Sequence, residues 1–132
     1  MLLLSIGTLK PVVNPMANNL PTPGRYISEI TDVETVIVKS LNGTEDFCYV
    51  IYYNLICIDD GSKFSFKETY NTLKSNPRIN SLNEYLMEHG YDTTCDYLLV
   101  GIRELVSITY EYLGGFAYPM IYSRTFIGKS AD

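Results

Sequence analysis

The sequence predicts a mainly β fold: a five-stranded, barrel-like sheet with one α-helix between the third and fourth strands. Three observations carry this. Twelve Tyr and five Phe with no Trp weight the composition toward residues that favour strands. Apolar residues recur at strand-like spacing over most of the chain and at helical spacing in a single stretch. Asn42-Gly43, Asp59-Asp60-Gly61 and Gly114-Gly115 are turn signals that divide the strand-like runs into hairpins. With 132 residues, 46% of them hydrophobic, the chain supports one packed domain and not two.

Residues 1–24 read as an extended arm. Pro11, Pro15, Pro21 and Pro23, with Asn14, Asn18, Asn19 and Gly24, forbid a regular helix and disfavour a ladder-forming strand. The remainder, 25–132, reads as a single domain. Its first strand runs from Arg25 to Lys39, and the apolar parity changes between Ile30 and Val33, which predicts a bulge in a long curved strand. Phe47 to Ile58 is apolar on both parities, as in a central strand. Lys63 to Lys67 alternates polar residues with Phe64 and Phe66 and completes a meander.

The period then changes. Asn76 caps a helix and Pro77 fits its first turn. Ile79, Leu82, Leu86 and His89 follow at spacings of three, four and three, with Tyr85 beside them, and Gly90 is the stop. A second short turn starts at Asp92 or Thr93 and runs through Leu98. Strand signals return at Ile102–Tyr112. Gly114-Gly115 turns the chain, and Phe116–Ile127 is the return strand. Three strands, a helix and two strands is the element order of an OB-fold barrel.

The residues argue against an enzyme. His89 is the lone histidine and sits near a helix C-terminus, where the dipole favours it. Glu84 and Glu88 lie on one helix face, the ordinary place for solvated carboxylates. Asp59-Asp60-Gly61 lacks the remaining ligands of a calcium loop. Cys48, Cys57 and Cys95 have no metal-type spacing and no nucleophile signature around them. They read as free thiols of a reducing cytoplasm. No cofactor or metal is expected. Met1–Ile6 is apolar but too short to span a bilayer, so the expectation is a soluble cytoplasmic protein with no membrane partner.

Aromatic residues interleaved with cations are the remaining signal. The net charge is −5, which counts against coating duplex DNA by bulk charge. Yet no acidic residue occurs in 112–131. On the last strand Phe116, Tyr118, Met120, Tyr122, Arg124 and Phe126 share one parity; Ala117, Pro119, Ile121, Ser123, Thr125 and Ile127 share the other. If Ala117, Ile121 and Ile127 fill the interior, the aromatic–Arg face looks outward. Tyr122 then stacks on a base and Arg124 holds the adjacent phosphate, with Tyr118 further along. On the central strand Cys48, Val50 and Ile56 read as interior, leaving Tyr49 and Tyr53 outward. Lys63, Phe64 and Lys67 repeat the interleaving on the third strand. Strands two and three are the usual nucleic-acid face of an OB-fold. Both parities are apolar enough that the same aromatics also fit a barrel core or a dimer contact.

The chain resembles phage-encoded OB-fold single-stranded-DNA-binding proteins. Pro21-Thr22-Pro23-Gly24-Arg25-Tyr26 opens the first strand and is followed by Ile30-Thr31-Asp32-Val33-Glu34. Ile58-Asp59-Asp60-Gly61 ends the long paired strand, and Leu98-Leu99-Val100-Gly101-Ile102 enters the fourth. The likeness covers roughly 21–127 in element order, through short, degenerate motifs. It implies a non-enzymatic binder of single-stranded DNA acting in phage replication or recombination within the host cytoplasm. Family members commonly end in an acidic tail, whereas this chain ends Gly128-Lys129-Ser130-Ala131-Asp132, so recruitment of partners through a tail is not expected. Few cations on the face imply modest affinity or a homodimer or larger homo-oligomer. The alternative is a small acidic interaction protein, phage-encoded, that inhibits a host factor or imitates nucleic acid through residues such as Glu45, Asp46, Asp59 and Asp60.

Overall fold

The computed structural model describes residues 20–39, 41–71, 76–91 and 96–130. The arm expected over 1–24 lies outside the described residues except for 20–24. The expected turn start at Asp92 or Thr93 and the thiol of Cys95 also lie outside them. The described strands are β1 (Gly24–Lys39), β2 (Glu45–Cys57), β3 (Lys63–Asn71), β4 (Ile102–Leu113) and β5 (Phe116–Lys129). Helix α1 (Pro77–Glu88) lies between β3 and β4, and a short 3₁₀ turn (Asp96–Leu99) leads into β4.

The five strands form one antiparallel sheet in the order β3-β2-β1-β4-β5. The predicted bulge in β1 is present. Ile30 pairs with Tyr53 and Asp32 with Tyr52, so Thr31 is the extra residue and the side-chain parity switches there. The turns follow their chemistry. At Asp60 the carboxylate accepts from Ser62 N at 2.9 Å, and Gly61 supplies the positive φ of +74°.

Closure into a barrel is corrected. Among the described residues no ladder joins β3 to β5, the two edges of the sheet. On β5, Pro119 lacks an N–H, and two bulges, at Tyr122 and Ile127, interrupt the regular run of backbone groups that a ladder needs. The edges nevertheless meet through side chains: Arg124 of β5 reaches Glu68 of β3 at 2.5 Å. A flat sheet of five strands at about 4.8 Å spacing would hold its edges roughly 19 Å apart, so this contact requires the sheet to curl strongly.

Helix α1 packs against the inner face of that curl. The Asn76 side chain accepts hydrogen bonds from Arg78 N at 2.9 Å and Ile79 N at 3.1 Å, an N-cap in the expected place. Leu82, Tyr85 and Leu86 join a core of Tyr26, Ile30, Ile51, Tyr53, Leu55, Ile102, Val106, Ile108 and Ile121. Tyr85 stacks on Phe126 with centroids 4.4 Å apart. His89 caps the helix end, its Nδ1 2.9 Å from the Tyr85 carbonyl.

Candidate nucleic-acid interface

The inner face of the sheet holds a charged cluster built from five elements. Arg78, in the first turn of α1, makes a two-pronged contact with Glu104 of β4, at 2.7 Å and 2.6 Å. Arg124 of β5 binds Glu68 of β3 and lies 4.0 Å from Glu104. Tyr53 of β2 sits between them. Its hydroxyl donates to Glu68 at 2.7 Å and accepts from Arg78 at 3.2 Å and Arg124 at 3.4 Å. Both guanidinium groups also lie over its ring, within 6.0 Å of the centroid. The Tyr70 hydroxyl donates to Glu68 at 2.5 Å. Two Arg and two Glu cancel, so a buried cluster of four charges is neutral as a unit.

The environment shifts these groups accordingly. Burial alone would raise the Glu68 carboxyl; Arg124 beside it, with hydrogen bonds from Tyr53 and Tyr70, outweighs burial and holds it below the usual carboxylate value. Burial, with the Glu68 charge nearby, pushes the Tyr53 phenol up to about 12. Burial opposes the charge on Arg78 and Arg124, and their carboxylate partners more than restore it. Two buried polar atoms, Ser28 Oγ and Arg78 Nε, find no protein partner; Ser28 pairs with Glu104 in the β1–β4 ladder.

The eight residues expected to bind nucleic acid divide between the two faces. Four point inward, which corrects the outward reading. Tyr53 is 1% exposed and belongs to the charged cluster. Phe64 pairs with Leu55 and packs edge-on against Tyr26, with centroids 5.9 Å apart. Tyr49 is half-buried on the same parity as Tyr53, paired with Tyr70. Arg124 is consumed by Glu68. The reason on β5 is the bulge: Ser107 pairs with Ser123 and Ile108 with Ile121, leaving Tyr122 as the extra residue. Below it Ile121 faces the core, and above it Arg124 and Phe126 do, so the single aromatic–Arg parity breaks in two. The expected interior positions of Ile56 and Ile127 are corrected as well. Both are exposed; Ile51, Tyr53, Leu55 and Cys57 fill the core on β2 instead, and on β5 Ile127 is the extra residue of the second bulge.

The other four point outward. Lys63 and Lys67 stand on β3 with Ser65 between them, opposite Ile56, Asn54 and Tyr52 of β2. Asn54, Ile56, Lys63 and Ser65 help to line a shallow cleft of about 370 Å³. Neither lysine makes an ion pair among the described residues. The Tyr52 hydroxyl donates to Glu34. That hydrogen bond, with burial and the charges of Glu34 and Asp32, pushes the phenol up to about 12. Tyr122, 63% exposed, stands on β5 two residues from Arg124. The Arg124–Glu68 bridge therefore brings Lys67 and Tyr122 to opposite banks of one seam. Tyr118 is half-buried on the outer face of the β4–β5 hairpin.

Sequence reasoning missed the inner cluster, although one signal for it was present. Glu104 shares strand parity with Ile102, Val106 and Ile108, all buried. A carboxylate on an apolar parity calls for a buried cation. Asn54 and Ser65, ordinary polar residues, carried no signal of their own.

Among the described residues no helix is long and apolar enough to cross a membrane, and no group of three or more His, Cys, Asp or Glu is placed to hold a metal ion. Comparison with family models, curated proteins and solved structures finds no match to this chain.

Proposed function

We propose that the protein is a non-enzymatic binder of single-stranded DNA built on an OB-like sheet, in keeping with a role in phage replication or recombination. The observation that carries this reading is the outward pair Lys63 and Lys67 on β3, beside the cleft of Asn54, Ile56 and Ser65 and across the seam from exposed Tyr122. The two lysines are four residues apart, about 13 Å along a strand, and suit successive contacts to a phosphate backbone. Tyr122 offers a ring for base stacking, worth about 1–3 kcal/mol per base. The strand order, with β2–β3 at one edge and a helix between β3 and β4, supports an OB-like reading, since such barrels are partly open and bind oligonucleotides on strands two and three.

The test is a titration with fluorescent oligo-dT at two salt concentrations. The expected result is binding at low salt that weakens as salt rises, with the log–log slope reduced by about 0.7 for each of Lys63→Ala and Lys67→Ala. No binding at low salt overturns the proposal. A second reading, an acidic interaction protein, draws on Asp32 and Glu34, which border the same outer face on β1. It expects capture of a basic partner and no affinity for oligo-dT.

A further inference from the structure

We propose that a single DNA strand crosses the outer face of the sheet, from Lys63 and Lys67 on β3 over β2 to Arg25 on β1 and Arg103 on β4. The inference rests on the nucleic-acid reading above and extends its site by two strands. Its ground is where the unengaged cations fall. Among the described residues Arg78 and Arg124 are held by Glu104 and Glu68, and Lys39 pairs with Glu45. Lys129 lies over the Tyr91 ring, 5.3 Å from its centroid. The other described cations are Arg25, Lys63, Lys67 and Arg103. None of them makes an ion pair among the described residues. All four share the outer face: Arg25 and Arg103 are exposed, and their neighbours Tyr26, Ile102 and Glu104 are buried on the inner one.

The register sets the path. Lys63 pairs with Ile56, Ile56 with Ile27, and Ile27 with Leu105, which makes one row of side chains across the strands. Ile56 is 41% exposed and Ile27 37%, apolar ground for the faces of bases. Arg25 stands in the row to one side, beside Ser107, and Arg103 in the row to the other, beside Glu29. On β5 Arg103 is opposite Gly128, where an added Cβ would meet nothing within 4 Å, so the approach to its side chain is open. From β3 to β4 is three strand spacings, about 14 Å. That span suits several nucleotides, in keeping with the roughly 4–16 that one OB fold covers.

Charge selects the occupant. The rows of Ile27 and Arg25 carry no carboxylate in their ladder pairs. Glu29 does stand beside Arg103, and its carboxylate accepts from the Ser130 hydroxyl at 3.5 Å. Asp32 and Glu34 lie further along β1, and Asp59 and Asp60 at the β2–β3 turn, where Asp60 accepts from Ser62. These carboxylates bound the path on its two sides. A chain of net charge −5 that gathers its unengaged cations around exposed isoleucines offers cations to phosphates and apolar surface to bases.

Oligo-dT titrations of the full chain at two salt concentrations test this. Each variant below changes an exposed side chain, and a native melting temperature establishes its fold first. Arg25→Ala and Arg103→Ala are each expected to reduce the log–log slope by about 0.7, and the double substitution by about twice that. Ile27→Ser weakens binding at both salts and keeps the slope. Lys39→Ala, at the far end of β1 and already paired with Glu45, leaves the slope as it is. Binding that falls with Lys63→Ala and Lys67→Ala but keeps its slope in Arg25→Ala and Arg103→Ala overturns this path and leaves the β3 site standing. An equal loss of slope in Lys39→Ala reduces the effect to bulk charge and overturns it too. Poly-glutamate that binds as tightly as oligo-dT, with the same loss in Arg103→Ala, assigns the face to an acidic polypeptide instead. No binding of oligo-dT at low salt overturns both readings together.

Discussion

On the inner face of the sheet Arg78 and Arg124 each grip a carboxylate, while on the outer face Lys63 and Lys67 face solvent with no ion pair among the described residues. The residue types match the tasks. A guanidinium presents a planar fork that satisfies a buried carboxylate on two sides. An ammonium on a flexible stem keeps its hydration and meets a mobile backbone as a point charge. The difference teaches that the cations of this chain are not interchangeable counts toward nucleic-acid binding. Arg78 and Arg124 are structural and contribute nothing outward, so any electrostatic footprint falls to a handful of surface residues.

The strongest way to break that comparison is Glu104→Ala. It strands Arg78 beneath the helix and is expected to lower stability by about 3–5 kcal/mol in urea titrations. Replacing both partners, Arg78→Met with Glu104→Leu, should recover most of that loss. If the single and double changes cost the same, the pair is not acting as a unit. Next comes the contrast between two tyrosines. Tyr53→Ala is expected to cost stability on the scale of other large aromatic truncations, about 3–5 kcal/mol. Tyr122→Ala should leave the melting temperature near native and weaken oligo-dT binding by about 1–3 kcal/mol. A Tyr122 variant that melts early instead places that ring in the core.

pH sharpens the same division. Glu68 is held below its ordinary value of 4.5 in the folded protein, so the stability it contributes is present above that value and is lost as pH falls through the folded one. Tyr53 is raised from 10.0 to about 12, so stability also declines as pH rises through that window, where the unfolded chain ionises first. Melting temperatures across pH check both limbs, and Glu68→Gln should flatten the acid one. The smallest expected effect is Lys67→Ala. Stability should stay within about 0.5 kcal/mol, while the salt dependence of oligo-dT binding loses about 0.7 of slope.

Much of the fold was legible in the residues because its signals are local. The parity switch at Ile30–Val33 announces the β1 bulge, and Asn76-Pro77 with Gly90 brackets the helix. The bulge at Tyr122 was not legible, since both parities around it are apolar and a switch between them leaves no trace. Arg124 was misread for a different reason: its partner Glu68 is 56 residues away, and no spacing rule reaches that far. Of the candidate interface, Lys63 and Lys67 were legible because their polar–aromatic alternation matches a strand with one wet face. The burial of Phe64 and Tyr53 followed from the same alternation, once Ile51 and Leu55, and not Ile56, occupied the interior.

The seam between β3 and β5 gives the curled sheet a clasp. Everywhere else, parting two neighbouring strands breaks a run of backbone hydrogen bonds together. Here, among the described residues, it breaks the side-chain grip of Arg124 on Glu68 and the tyrosine hydroxyls around it, and no ladder. The molecule thus has one line of least mechanical resistance, and amide protons along the outer edges of β3 and β5 exchange with solvent ahead of those in β1 and β2. Loss of the clasp lets the cuff spring open while its four ladders stay intact.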